Sequence, residues 1–318
     1  HEANANGFSS RKSMLPAEYT SMQNLLAGWY YVGHEPFDEG SVSAEGSEEA
    51  ALPVDSPERL QAREEALNVF CEKMSILEAH LGEHLYCCGD APGVDDLMRF
   101  GALQVLLLML APQFGLDLEV FVRMPNMKRW LDDLYWRDSN PFRDVHNVTQ
   151  WRQCFLGFWR QKMPQRNFVL PELSISLYHK PIIVTEPSGP SPEALPSLLP
   201  SSSVHLFGLG RRILDVTSGE QVIVGCGCSF TSVLEHLCLE LKIPYVLHAM
   251  DPEDKPLWFR NMFEKPFTPA MCWQGTFMQE TADIIAKIME MHPHEANANG
   301  FSSRKSMLPA EYTSMQNL

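Results

Sequence analysis

The sequence predicts an α+β protein of two domains: an all-helical domain, then a domain with the element order β-α-β-α-β-β-α. Three observations predict this. Residues 57–81 repeat apolar side chains at helical spacing, and residues 93–110 are apolar on nearly all sides. Residues 221–293 instead alternate short apolar runs with helical patterns. Between them, residues 164–204 are rich in proline and serine, the composition of a partly extended spacer.

The helical domain comes first. Residues 16–31 are a helix candidate with Met22, Leu25, Leu26 and Trp29 on one side. Residues 35–55 are acidic and rich in Gly, Ser and Ala, as a solvated loop would be. Residues 57–81 form an amphipathic helix whose apolar positions are Leu60, Leu67, Phe70, Met74, Leu77 and Leu81. Ser56-Pro57 is its start signal and Gly82 its stop. Residues 93–110 read as a central buried helix, and 127–136 as another, entered through Pro125-Asn126. In the spacer, Ile182-Ile183-Val184 reads equally as a short strand or as coil.

In the second domain, Val222-Ile223-Val224 is a continuous β-branched run, as in a strand buried on both faces. Gly225 and Gly227 break it, and from Thr231 the residues Leu234, Leu237, Cys238 and Leu241 recur at helical spacing. Cys228 is thereby expected at a helix N-terminus. Exposed N–H groups and the helix dipole there favour a negative charge, and a thiolate is such a charge. The plainer reading makes Cys228 a space-filling residue. Residues 243–250 are the next strand, expected to pair in parallel with 222–224 through a right-handed crossover. A polar loop then enters a short helix near 257–259. Residues 267–273 run into a third strand, with Pro269 at its start and a cis bond open there. Gln274-Gly275 makes a turn, 276–279 a fourth strand, and Glu280-Thr281 opens a helix with Ile284, Ile285, Ile288 and Met291 on one face.

Three motifs in that order carry a resemblance. Cys228-Ser229-Phe230, then Lys255-Pro256-Leu257-Trp258-Phe259, then Thr268-Pro269-Ala270 followed by Glu280-Thr281, resemble the thioredoxin-like domain of cytosolic glutathione transferases, most closely the omega class. The helical domain resembles the same family. Gly89-Asp90-Ala91-Pro92-Gly93-Val94-Asp95-Asp96-Leu97 is similar to its capping segment, and Pro125-Asn126-Met127 with Trp130 to its Pro-Asn-Leu and Trp pattern. Gly93 stands where the family has a Ser or Thr cap, leaving Asp96 to reach back to the helix start.

The resemblance implies a glutathione site and no metal. Cys228 would be the nucleophile, and Phe230 belongs to its motif. The backbone of Thr268, before a cis Pro269, would pair with the cysteinyl part of glutathione. Glu280 and Thr281 would hold its γ-glutamyl end, and Lys255 would face its glycine carboxylate. For Lys255 and Glu280 the competing reading is a solvated face. A cysteine-type site implies thiol–disulfide exchange with a small disulfide or oxidised substrate, as in thioltransferases and dehydroascorbate reductases, rather than conjugation. Thr231 holds the second position of a Cys-x-x-Cys spacing, which argues against a dithiol mechanism. Cys226 is either structural or a resolving thiol. Trp29, Tyr30 and Tyr31 would line a second-substrate pocket, or pack between domains. Ser229 replaces the family's proline beside the cysteine. That departure suits the rival reading, a non-catalytic transferase-like scaffold.

The chain has 318 residues and a formal net charge of −15. The length allows two sizeable cores. The charge argues against nucleic acid as a partner and gives no attraction to anionic membranes. The longest apolar run, 105–112, is too short to span a bilayer. Eight scattered cysteines and no signal peptide give the expectation of a reducing, cytoplasmic setting.

Residues 1–25 recur without a change at 294–318. A window cut from a tandem array, a misassembled or circularly closed gene, and a deliberate permutation compete as explanations. The array reading matches the layout of tandem thiol-dependent reductases. The domain map is then 1–25 as linker and first helix, 16–163 helical, 164–204 linker, 205–293 thioredoxin-like, and 294–318 the start of a second helical domain. Homodimers or paired units within one chain both fit this map.

Overall fold

The computed structural model describes residues 57–105, 116–136, 182–183, 199, 202–214, 221–225, 228–252, 254–291, 301 and 307–308. The helix expected at 16–31, the aromatic residues Trp29, Tyr30 and Tyr31, and Cys226 lie outside them. The architecture is α+β: a helical region followed by a thioredoxin-like β-α-β-α-β-β-α domain. The chain divides into two compact units. One comprises residues 1–90, 102–131 and 305–318, the other 91–101 and 132–304.

In the helical unit, helix α1 (Pro57–Glu83) buries Leu67, Phe70, Met74, Leu77 and Leu81, the stripe its periodicity predicts. Leu60 departs from that stripe and is half exposed. Helix α2 (Val94–Val105) is shared between the units, α3 is Leu116–Arg123, and α4 (Pro125–Trp136) lies mostly here. The Glu78 carboxylate of α1 accepts from the Asn126 and Met127 N–H groups at 2.9 and 2.8 Å. It thereby caps the first turn of α4, whose N–H groups have no partner within the helix. Arg129 of α4 returns the interaction, donating to the Leu81 and His84 carbonyls at 2.8 and 3.2 Å. Gly82 was expected to end α1, but the helix runs on to Glu83. Its lack of a side chain serves another purpose, since a Cβ there would sit 3.3 Å from the Asn126 amide.

The second unit is built on a sheet ordered β1-β4-β2-β5-β6, with β3 paired to β2 off that path. The strands are β1 Ile182–Ile183, β2 Val204–Leu214, β3 Gln221–Gly225, β4 Tyr245–Met250, β5 Ala270–Trp273 and β6 Thr276–Gln279. Helices α5 (Ser229–Glu240), α6 (Leu257–Met262) and α7 (Thr281–Met291) complete the order. The two-residue run at 182–183 is a strand, parallel to β4.

One expectation is overturned. The run at 222–224 was expected to pair in parallel with the strand at 243–250. Instead β2 holds the centre, parallel to β4 from Val204 to Leu209 and antiparallel to β5. The run at 222–224 lies in β3 and pairs antiparallel with the far half of β2. The physical reason is that Val204, Leu206 and Phe207 fill both faces of the central position, each with no exposed surface. The first strand of the domain was read at 222–224, and the run from Val204 was not singled out.

The faces alternate as a sheet demands. Val204, Leu206 and Met271 pack under α5 and α7 with Leu234, Leu237 and Ile284. Phe207, Ala270 and Cys272 pack with Met250, Trp258 and Phe259 of β4 and α6 on the opposite face. Gly208 allows α5 to approach closely, because a Cβ there would lie 2.5 Å from the Thr231 Cγ2. The β5–β6 turn has Gln274 at φ 48° and Gly275 at φ 81°, the signs a type I′ hairpin requires. The start of α2 belongs to this unit. The Gly93 N–H donates to the fully buried Asp96 carboxylate at 2.9 Å, as the sequence implied, and Leu97 joins the α5–α7 core.

Candidate active site

Cys228 is the N-cap of α5, with φ −67° and ψ 117°, and its carbonyl accepts from the Ser232 N–H at 2.9 Å. Its side chain makes no capping bond and is partly exposed. The other described cysteines are free thiols too. Cys87, Cys88, Cys238 and Cys272 are buried, and burial raises the Cys238 and Cys272 thiols above the ordinary range. Cys71 is partly exposed, and burial raises it as well. Among the described cysteines Cys228 alone stands at a helix N-terminus.

The far half of β2 and β3 form a hairpin between the central part of the sheet and this cysteine. Gly210 of β2 and Gly225 of β3 are register partners, so β3 brings the chain back beside the point where β2 ends its pairing with β4 at Leu209. Cys228 follows Gly225 by three residues.

The remaining predicted residues issue from that same end of the sheet. Met250, the last residue of β4, pairs with Leu209, and the next segment carries Lys255. Ala270, the first residue of β5, pairs with Phe207, and the cis Thr268–Pro269 bond precedes it. Gln279, the last of β6, pairs with Ala270 and leads directly into Glu280 and Thr281. Loops at the carboxyl ends of parallel strands are where open α/β sheets place ligands.

The cis-proline loop is held from two sides. The Lys255 Nζ donates to the Pro266 carbonyl at 2.6 Å, and the Gln279 Nε2 donates to the Phe267 carbonyl at 2.7 Å. Gln279 was missed in the sequence, where it is one polar residue at a strand end. Lys255 is engaged with the loop rather than set on a solvated face.

Glu280 has φ 69°, in the left-handed region that a non-glycine residue enters at a cost. Its carbonyl accepts from the Ile284 N–H at 3.0 Å, which makes Glu280 the start of α7. Thr281 is buried at the first position of that helix, and Phe230 is half-buried in the first turn of α5. Thr231 and Ser232 are buried, and their hydroxyls make no hydrogen bond among the described residues.

Residues 224–296 match the family model described as glutathione S-transferase, N-terminal domain. No curated protein and no solved structure matches the chain. The transferase match begins at Val224, inside β3, whereas the strand at the centre of the sheet is β2.

Behind the site, His205 of β2 and His248 of β4 are buried, with Nδ1 and Nε2 3.1 Å apart. His248 also stacks on Phe207 at 4.7 Å. Burial, and secondarily His205, lower His248 to a pKa of about 4. On the other face, Tyr245 donates to Glu235 at 3.2 Å, and burial pushes the Tyr245 phenol far above its ordinary range. Among the described residues no helix is long and apolar enough to cross a membrane.

Proposed function

We propose that the chain is a glutathione-dependent thiol transferase of the cysteine type, closest in character to the omega class and arranged as part of a tandem series. One observation carries the reading: a partly exposed cysteine caps the first helix of a glutathione S-transferase N-terminal domain. A serine or tyrosine there would suit conjugation; a cysteine suits exchange.

In the exchange, the Cys228 thiolate attacks the glutathionyl sulfur of a mixed disulfide. A Cys228–glutathione disulfide forms and the substrate leaves as a thiolate, which takes up a proton. A second glutathione thiolate then attacks the glutathionyl sulfur, forming glutathione disulfide and releasing Cys228. Bound glutathione would lie extended along the Thr268 backbone, with its glycine carboxylate toward Lys255. Its γ-glutamyl group would meet Glu280 and the N–H groups opening α7. To reach that carboxylate the Lys255 ammonium would share or exchange its bond to Pro266.

A glutathione-binding scaffold is the second reading. The β2–β3 hairpin inserted before Cys228 and Ser229 beside it favour that reading. Incubation with glutathione disulfide separates the two. The transferase gains one glutathionyl mass at Cys228, which free glutathione removes and which Cys228→Ser never acquires. A protein that stays unmodified while folded is the scaffold.

A further inference from the structure

Residues 1–25 and 294–318 are one sequence, so Phe8, Met14 and Leu15 repeat Phe301, Met307 and Leu308. Met307 and Leu308 of the second copy have a defined seat in the helical unit. There a tight turn is closed by the Tyr86 N–H on the Gly89 carbonyl at 2.8 Å and the Gly89 N–H on the Tyr86 carbonyl at 3.1 Å. Between them the Cys87 carbonyl accepts from the Met307 N–H at 2.8 Å. Gly89, at φ +106°, leaves room for the Met307 side chain, whose sulfur would lie 3.3 Å from a Cβ there. Leu308 is 5 % exposed. The contacts at the turn are one backbone bond and two apolar side chains, and Met14 and Leu15 carry the same groups.

We propose that the Cys87 turn, which seats Met307 and Leu308, is also a docking site for the identical Met14 and Leu15, in exchange with them. Identical sequences make identical contacts, so the tethers decide which copy is seated. Met307 follows the end of α7 at Met291 by 16 residues (307 − 291), and Met14 precedes the start of α1 at Pro57 by 43 (57 − 14). Chain-closure entropy favours the shorter tether by only about four-fold. The amino-terminal copy therefore competes, and it replaces the other whenever that copy is weakened.

Three variants of the full chain test this: Leu15→Ser, Leu308→Ser and the pair together. Leu15→Ser is expected to melt within about a degree of the parent, Leu308→Ser a few degrees lower because the amino-terminal copy takes the seat at that roughly four-fold disadvantage, and the pair lower still. The substitution also makes the two copies distinguishable by mass. In Leu308→Ser, hydrogen exchange at the Met14 amide should become slow, at a level that does not change with protein dilution. The proposal is overturned if Leu308→Ser alone unfolds or melts as low as the pair. It is equally overturned if the Met14 amide stays fast, or if its protection disappears on dilution.

Discussion

At the scale of single residues, the site is marked by conformations that cost energy. Glu280 holds a left-handed backbone at φ 69° without being glycine. Nothing about α7 requires this, since a glycine would start the helix equally well and would adopt that conformation freely. Glu280→Gly is therefore expected to raise stability by up to about 1 kcal/mol in chemical denaturation while weakening glutathione binding in calorimetry. A variant that loses stability and keeps its affinity would show that the glutamate serves the fold. His248 makes a second residue-scale prediction. Its folded pKa of about 4 lies below the usual value of 6.5, so the unfolded chain binds the extra proton between those limits. Stability from this group is full above pH 6.5 and falls as pH drops toward 4, by about 3 kcal/mol in all. His248→Phe should flatten the stability–pH profile in that window by close to one proton. An unchanged slope would contradict the assignment.

At the scale of elements, periodicity decided what was legible. The stripe on α1, the buried face of α7 and the Gln274-Gly275 hairpin are all local patterns, and the structure has each of them. The reach of Asp96 back to Gly93 was legible for the same reason, because donor and acceptor are three residues apart. What stayed hidden is tertiary. Glu78 looks like any acid on the polar side of an amphipathic helix, yet it caps α4 from 48 residues away. Glu78→Ala should cost about 1.5–3 kcal/mol, more than a surface acid, because it leaves two helix-end donors without their charged acceptor. Gly208 is the place where α5 touches β2. Gly208→Ala is expected to cost roughly 1–3 kcal/mol, and Thr231→Ser, which removes the clashing methyl, should recover part of that loss in the same denaturation series. The central strand was misplaced because two apolar runs precede Cys228, at 204–209 and 222–224, and both suit a buried strand. Pairing with β4 and β5 decides between them, and pairing is a long-range property that no window of sequence contains.

At the scale of the whole molecule, topology turns scattered residues into one candidate site. Cys228, Lys255, Thr268, Pro269, Glu280 and Thr281 span more than fifty residues of sequence, yet all leave the sheet at the same end. Three short motifs in the sequence single out these residues. The sequence did not show that a hairpin stands between the central part of the sheet and the cysteine, nor that the Gly210–Gly225 pairing cancels the detour. The central claim is that the returned cysteine works. The measurement that tests it most directly is glutathione-dependent turnover of a small mixed disulfide by the full chain, beside Cys228→Ser. The transferase account predicts steady turnover in the parent and none above background in the variant, with both proteins equally folded. Turnover that survives Cys228→Ser, or a folded parent chain with no turnover, would contradict it.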